Sequence, residues 1–311
     1  MNTIRIATRA SKLALAQANQ VAKLLSCLSP KCPVELVKIF TKGDRDKSDF
    51  LYKAGSIGFF TSEVEHALLD SRADIAVHSL KDLPTTITKG LTISAIPRRE
   101  KVNDVIVTAN NIASIHDLPK GATVGTSSVR RTSQLKLLRP DLDCKPLRGN
   151  VETRIRKVQE GRVDAIVIAQ AGLNRLGLSH NISLILPPEE LIPAPGQGAL
   201  AIQTREDDTA LCKLVSRLED PNTRVAVQTE RRILAGLHGG CSIPLGVFSR
   251  IEKDTIHISA ILCNLAATKY IRKTVSCSID MALETADVMI QQILAEGGKD
   301  ILEEIRDEKN T

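Results

Sequence analysis

The 311-residue chain has no tryptophan, and with two tyrosines and five phenylalanines its aromatic residues come to only 2%. That scarcity removes most of the stacking platforms on which proteins hold single-stranded nucleic acid. The net charge of +6 therefore points away from nucleic acid and toward a smaller polyanion, such as a ligand carrying several carboxylates. No apolar run approaches the roughly 18 residues that would suggest a membrane span, so no membrane partner is expected. The seven cysteines form no CxxC pair and the six histidines no couple at metal spacing, which argues against a disulfide framework and against a metal site. Most of the cysteines are expected to be buried and inert. The opening MNTIRIATRA moves at once into strand-like alternation and then a helix, so a cleavable leader would have to be cut from the fold itself, and a cytoplasmic protein is expected.

What is present is an α/β pattern, with a hydrophobic fraction of 42% and enough length for two or three domains. Ile4 to Ala7 reads as a strand, and TRAS leads into an amphipathic helix from Lys12 to Leu28 with Ser11 as its N-cap. Arg9 then falls in the turn after the strand, where α/β sheets present ligand-binding groups. Val34 to Ile39 reads as a second strand, followed by TKGDRDKSDFLYKAGSIGFF, a polar segment long enough to be a lid. It closes on Phe59 and Phe60, placed either to stack on an aromatic ligand or to pin the loop to a helix over 61–70. In ADIAVHSLKDLPT, Ile75 to Val77 is a buried-strand run, so Lys81 and Asp82 stand at its carboxyl end, and Pro84 prevents continuation into a helix. A carboxylate there can steady a developing positive charge or pass a proton.

A hinge is placed near residues 98–104. Beyond it, strand-like Val105 to Thr108 precedes GATVGTSSVRRTSQLK, a strand and a Thr126-Ser127-Ser128 cap before a helix with Arg130 and Arg131 in its first turn. Open amides, hydroxyls and guanidiniums together make an anion site. Positive charge at that end opposes the helix dipole, which suggests a ligand that supplies the negative charge. The design repeats: a strand over Cys144 to Leu147 runs into RGNVETRIRK, with Arg148 before a Gly149-Asn150 turn and Arg154 on the next helix. DAIVIAQAGLNRLGL places Arg175 near the same edge. PAPGQGALAIQTRE reads as a crossing followed by a strand from Leu200 to Gln203, which makes the first domain discontinuous. A helix from Pro221 carrying Glu230, Arg231 and Arg232 leads to GLHGGCSIPLG, where two glycines and Pro244 put Cys241 on a loop, open to reagents. Alternating segments near 245–250, 255–260 and 270–277, with a helix from Met281 to Leu294, read as a small antiparallel sheet covered by a helix.

IRIATRASKLALAQA, TKGDRD, DIAVHSLKDLPT, GTSSVRR, LRGNVETR, AGLNRLGL, PAPGQGAL and GGCSIPLG, in that order along nearly the whole chain, resemble the hydroxymethylbilane synthase, or porphobilinogen deaminase, family. The resemblance implies an α/β fold with two periplasmic-binding-protein-like lobes and a small C-terminal α+β domain with an antiparallel sheet. The domains would be 1–98 with 199–217, 104–193, and 221–311. It implies that Cys241 holds a dipyrromethane cofactor through a thioether, that four porphobilinogens are added in deaminative steps, and that the linear tetrapyrrole is released toward haem. Each pyrrole brings an acetate and a propionate, which accounts for the arginines. The family motif gives Asp82 the part of stabilising positive charge and handling protons, with Lys81 beside it. Arg9, Ser11, Ser128, Arg130, Arg131, Arg148, Arg154 and Arg175 match positions that bind cofactor or substrate, and Gln17, Asp44 and Gln197 are weaker matches. Lys53, Phe60, Thr126, Ser127, Gly149 and Asn150 complete the expected set.

One motif departs from the family. The lid, often GxKGLF in relatives, here reads GSIGFF, so Ile57 stands where a lysine is common while Lys53 remains. Porphobilinogen is the expected small-molecule partner, with a transient contact to the next enzyme of the pathway and a monomeric state. The alternative is a two-lobe anion- or solute-binding protein without catalysis, which would need neither a loop thiol nor Asp82. A cysteine hydrolase would need a base beside Cys241; His238 is near in sequence, but no second orienting group is evident.

Overall fold

The computed structural model describes residues 3–40, 61–237 and 243–310. The chain divides into two compact units, Met1–Glu100 with Gly198–Arg224, and Lys101–Gln197 with Val225–Thr311. Asp44, Lys53, Ile57, Phe59, Phe60, His238 and Cys241 lie outside the described residues.

The first unit is built on a five-stranded sheet of β1 (Ile4–Arg9), β2 (Val34–Ile39), β3 (Ile75–Ser79), β4 (Leu91–Ala95) and β10 (Leu200–Arg205). Their order is β2-β1-β3-β10-β4. β1 runs parallel to β2 and β3, whereas β10 is antiparallel to both its neighbours. Helices cover both faces, as a central run buried on each side requires. On one face Ala18, Val21 and Leu25 of the helix Lys12–Leu28 pack on Ile4, Ile6, Ile75 and Val77. On the other, Val64, Ala67 and Leu68 of the helix Ser62–Leu69 pack on Ala7, Ile39 and Ala76.

The alternation within β3 sends His78 to the second of these faces, into a buried polar chain. Its Nε2 lies 3.1 Å from Gln203 Oε1, while Gln203 Nε2 donates to Glu65 Oε1 at 2.9 Å and Thr88 Oγ1 to Glu65 Oε2 at 3.0 Å. Because the amide nitrogen serves the carboxylate, its oxygen must accept, and the proton of neutral His78 sits on Nε2. Burial pushes the His78 imidazole down to about 4, only partly opposed by the bond to Gln203. Between its ordinary value of 6.5 and about 4 the unfolded chain binds a proton that the folded chain refuses, so stability falls as pH drops through that window. The loss approaches about 3 kcal/mol at its lower end. Denaturant titrations from pH 7 to 4 should show a shallower acid loss for His78→Gln than for wild type; parallel profiles would remove His78 as the cause.

The second unit holds a five-stranded sheet of β5 (Asp104–Thr108), β6 (Thr123–Gly125), β7 (Asp143–Lys145), β8 (Ala165–Ala169) and β9 (Leu184–Leu186), ordered β7-β6-β8-β5-β9. β6 is parallel to β7 and β8, and β5 is antiparallel to β8 and β9. The same unit carries an antiparallel sheet of β11 (Leu245–Glu252), β12 (Thr255–Cys263) and β13 (Tyr270–Ser278). Val247, Ile258 and Ala260 of that sheet share a core with Ile233, Met289, Ile290, Ile301 and Ile305 from three helices. Gly246 lets β11 meet the segment before the crossing: a Cβ there would stand 2.6 Å from the Ile192 carbonyl oxygen. Val247 N–H donates to Pro193 O at 2.9 Å. Buried Glu230 fastens the same junction, accepting from Gly196 N–H at 2.6 Å and Ser249 N–H at 2.8 Å.

Several elements differ from the sequence expectation. β1 continues through Arg9, which is therefore a strand end rather than a turn residue, and β3 extends past Val77 to Ser79. β7 stops at Lys145 because Pro146 follows. Beyond the expected helix ending at Leu294, the structure adds a further helix over Lys299–Asn310. Gly297 kinks the chain at φ 101°, after which Ile301, Leu302 and Ile305 resume a buried helical stripe. Among the described cysteines, Cys32 and Cys263 are buried, Cys144, Cys212 and Cys277 half-buried, and Cys27 exposed.

Candidate active site

In the first unit the carboxyl ends of parallel β1 and β3 bring several of the expected residues to one sheet edge. β1 ends at Arg9, and Ser11 caps the next helix, its Oγ accepting Ala14 N–H at 3.3 Å. β3 ends at Ser79 and passes into a short 3₁₀ turn, Leu80–Asp82. The turn is fixed from below: Leu80 is fully buried, its N–H donates to Ala199 O at 3.0 Å, and Leu83 is buried behind it. Lys81 is half-buried and Asp82 exposed. Gln17, buried on the capped helix, donates from Nε2 to Ser79 Oγ at 2.8 Å and so ties that helix to the residue before the turn. Ser79 is thus a further residue of this edge, marked in the sequence only by a hydroxyl closing a buried apolar run.

In the second unit the carboxyl ends of β6, β7 and β8 share an edge, because these three strands are parallel. After β6, Ser128 caps the helix Val129–Leu138. Thr126 Oγ1 accepts Ser128 N–H at 3.2 Å, and Ser127 Oγ both donates to Leu147 O at 3.0 Å and accepts Leu147 N–H at 3.1 Å. These two hydroxyls thus shape the turn and bind it to the segment after β7. There Gly149 adopts φ 119°, and a Cβ would stand 2.8 Å from Thr153 Cγ2, so glycine is required twice over. Asn150 caps the helix Val151–Gln159, accepting Thr153 N–H at 2.8 Å, and Arg154 Nε donates to Gly149 O at 2.9 Å. After β8, Arg175 closes the short helix Gln170–Arg175 and is half-buried.

The charge balance at this edge differs from the one expected from sequence. Arg130 and Arg131 are buried, and both bind Asp104, which is fully buried at the start of β5. Asp104 comes to this edge because antiparallel β5 pairs it with Ala169, the last residue of β8. Part of the negative charge assigned to a ligand is therefore the protein's own, and two guanidiniums against one carboxylate leave a net positive charge. Burial lowers the Arg130 guanidinium from its ordinary value, against the pull of Asp104. Arg154 is pushed down to about 10, first by burial and then by the like charges of Arg131 and Arg148. Arg154 within electrostatic range of both Arg131 and Arg148 makes the kind of cationic cluster that a carboxylate-rich group fits. Gln197, fully buried, donates from Nε2 to Val102 O at 2.8 Å and to Asp104 Oδ1 at 3.0 Å, so it supports the arginine pair through Asp104.

Among the described residues no group of three or more His, Cys, Asp or Glu is placed to hold a metal ion, and no helix is long and apolar enough to cross a membrane.

Each unit is thus an α/β unit with a helix-flanked sheet, and the second also carries a small antiparallel sheet. Residues 4–213 match the family model for the porphobilinogen deaminase dipyrromethane cofactor binding domain, and residues 225–296 that for the porphobilinogen deaminase C-terminal domain. Porphobilinogen deaminase from Maridesulfovibrio salexigens is 44% identical over 307 residues, covering 99% of both chains. That from Oceanobacillus iheyensis is 42% identical over 311 residues, again with 99% coverage of each. The chain belongs to the porphobilinogen deaminase family, and is accordingly a transferase with a dipyrromethane cofactor binding domain. Among solved structures, the periplasmic VFT2 domain of Bordetella pertussis BvgS aligns with 70% of this chain and 86% of its own, at 17% identity and a TM-score of 0.40. An ancestral arginine-binding protein aligns with 70% and 90% respectively, at 18% identity and a TM-score of 0.37.

Proposed function

We infer that this chain is a hydroxymethylbilane synthase whose acid-base and carboxylate-binding groups stand at the carboxyl ends of the parallel strands of each unit. Four porphobilinogens are condensed in series with loss of ammonia, and the linear tetrapyrrole is released. The dipyrromethane, held as a thioether by Cys241, supplies the pyrrole carbon from which the chain grows. Asp82, presented on a turn whose flanking leucines are buried, faces the positive charge that develops on pyrrole nitrogen when ammonia leaves porphobilinogen, and takes the proton lost as aromaticity returns. Lys81, Arg9 and Ser11 bind acetate and propionate groups at the first edge. Arg131, Arg148, Arg154 and Arg175 do so at the second, with Ser128 at the helix start and the Gly149-Asn150 turn holding Arg154 in place. The observation that carries this reading is the second edge, where the turns after parallel β6, β7 and β8, and the helices they open, carry arginines at the same carboxyl end of one sheet.

In this reading the chain has three domains, 1–98 with 199–217, 104–193 and 221–311, the last bearing Cys241. Asp44, Lys53 and Phe60 act from the segment before the helix Ser62–Leu69, and Ile57 in place of the family's lysine weakens the hold on incoming carboxylates. The enzyme works as a cytoplasmic monomer and meets the next enzyme of the pathway only transiently. Incubation of the purified chain with porphobilinogen should release one ammonia per porphobilinogen consumed and four per tetrapyrrole formed. Porphobilinogen bound and recovered unchanged would instead favour a solute-binding protein.

A further inference from the structure

Asp104 has no part in the family motifs, yet it accepts from two arginines and a glutamine at the second sheet edge. Its Oδ2 accepts from Arg130 Nη2 at 2.8 Å, and its Oδ1 from Arg131 Nε at 3.0 Å, Arg131 Nη2 at 2.7 Å and Gln197 Nε2 at 3.0 Å. The two arginines use their remaining groups differently. Arg130 sends Nη1 to Ile192 O at 2.8 Å and is committed to the interior. Arg131 sends Nη1 to Val167 O at 3.1 Å, so its plane is fixed on one side by Asp104 and on the other by β8. A guanidinium has five N–H groups. With Nε and one N–H of each terminal nitrogen so engaged, one N–H on Nη1 and one on Nη2 are not used by Asp104 or Val167, and such groups can receive a carboxylate.

We propose that Asp104 is a positioning residue for substrate and cofactor carboxylates: by clamping Arg131 between itself and the Val167 carbonyl, while also binding Arg130 and Gln197, it holds the Arg131 guanidinium in the orientation that receives carboxylates alongside Arg148 and Arg154. The role rests on the proposed function, since carboxylate-bearing pyrroles are the ligand. Two physical accounts of Asp104 make opposite predictions. If it serves only as a counter-ion, its removal leaves the edge more positive, and carboxylates bind more tightly. If it aims Arg131, its removal frees the guanidinium to rotate, and they bind more weakly despite the added charge.

The test uses wild type, Asp104→Asn, and the double variant Asp104→Asn with Arg130→Met. The double variant removes one negative and one positive charge together, so the buried charge balance and the fold are kept while Arg131 still lacks its clamp. KM and kcat for porphobilinogen and, independently of turnover, the calorimetric affinity for benzenehexacarboxylate are measured on all three. In both variants the expected result is a KM raised about tenfold or more, a comparable loss of benzenehexacarboxylate affinity, and a smaller change in kcat. Tighter binding in Asp104→Asn, or wild-type affinity in the double variant, would overturn the positioning role. Benzenehexacarboxylate binding reports on Asp104 even if wild type releases no ammonia from porphobilinogen, an outcome that would sink the synthase reading alone.

Discussion

Asp82→Asn should fold as wild type does and lose kcat by about 10²–10⁴-fold, the range over which a positioned acid-base group contributes. The fold is spared because the turn is held by buried Leu80 and Leu83 and by the Leu80 N–H bond to Ala199 O, none of which involves the Asp82 side chain. The amide has nearly the shape of the carboxylate but neither the charge to face a positive pyrrole nitrogen nor the basicity to take its proton. KM should change little, because Asp82 is given no carboxylate to bind. Steady-state kinetics with a thermal melt separates the two properties. A kcat near the wild-type value would remove Asp82 from the chemistry, and a collapsed melting temperature would make it a structural residue.

Arg154→Leu carries the second large effect, with the opposite division between stability and binding. In the folded protein Arg154 is half-buried and lies within electrostatic reach of Arg131 and Arg148, which is why its guanidinium is held down to about 10. Removing it relieves repulsion, so the melting temperature should hold or rise, even though the Nε bond to Gly149 O is lost. Binding suffers instead: a charge-assisted bond to a carboxylate is worth about 1.5–3 kcal/mol, or roughly a ten- to hundredfold rise in KM. Lower stability together with unchanged KM would mean that Arg154 serves the turn around Gly149 rather than the ligand. The pairing of gained stability with lost binding is what a site built from like charges predicts.

The chain's local signals translate directly into structure, and its long-range ones do not. Ser11, Ser128 and Asn150 cap the helices they precede because an N-cap is a contact across three residues, visible in a short window. β3 and β8 are recognisable as buried runs for the same reason. Asp104 was hidden because it reads as the polar start of DVIVT, and its partners lie 26, 27 and 93 residues away. Only the antiparallel register of β5 against β8 makes it the counter-ion of Arg130 and Arg131. The chain from His78 through Gln203 to Glu65 spans separations of 125 and 138 residues and leaves no trace in a local pattern. β4 and β9 carry no such signal: β4 mixes threonine and serine with its apolar residues and is buried only at its two ends, and β9 is three residues long. The arginines were placed at strand ends from sequence alone, whereas which of them are neutralised by the protein itself required the sheet.

Intact-protein mass spectrometry on wild type and Cys241→Ser tests the central claim most directly, because a covalent cofactor is decided by mass alone. Wild type should carry an added mass equal to two linked pyrrole units, absent from the variant, with porphobilinogen turnover lost alongside it. A wild-type chain that carries no added mass, and still carries none after incubation with porphobilinogen, would contradict that claim.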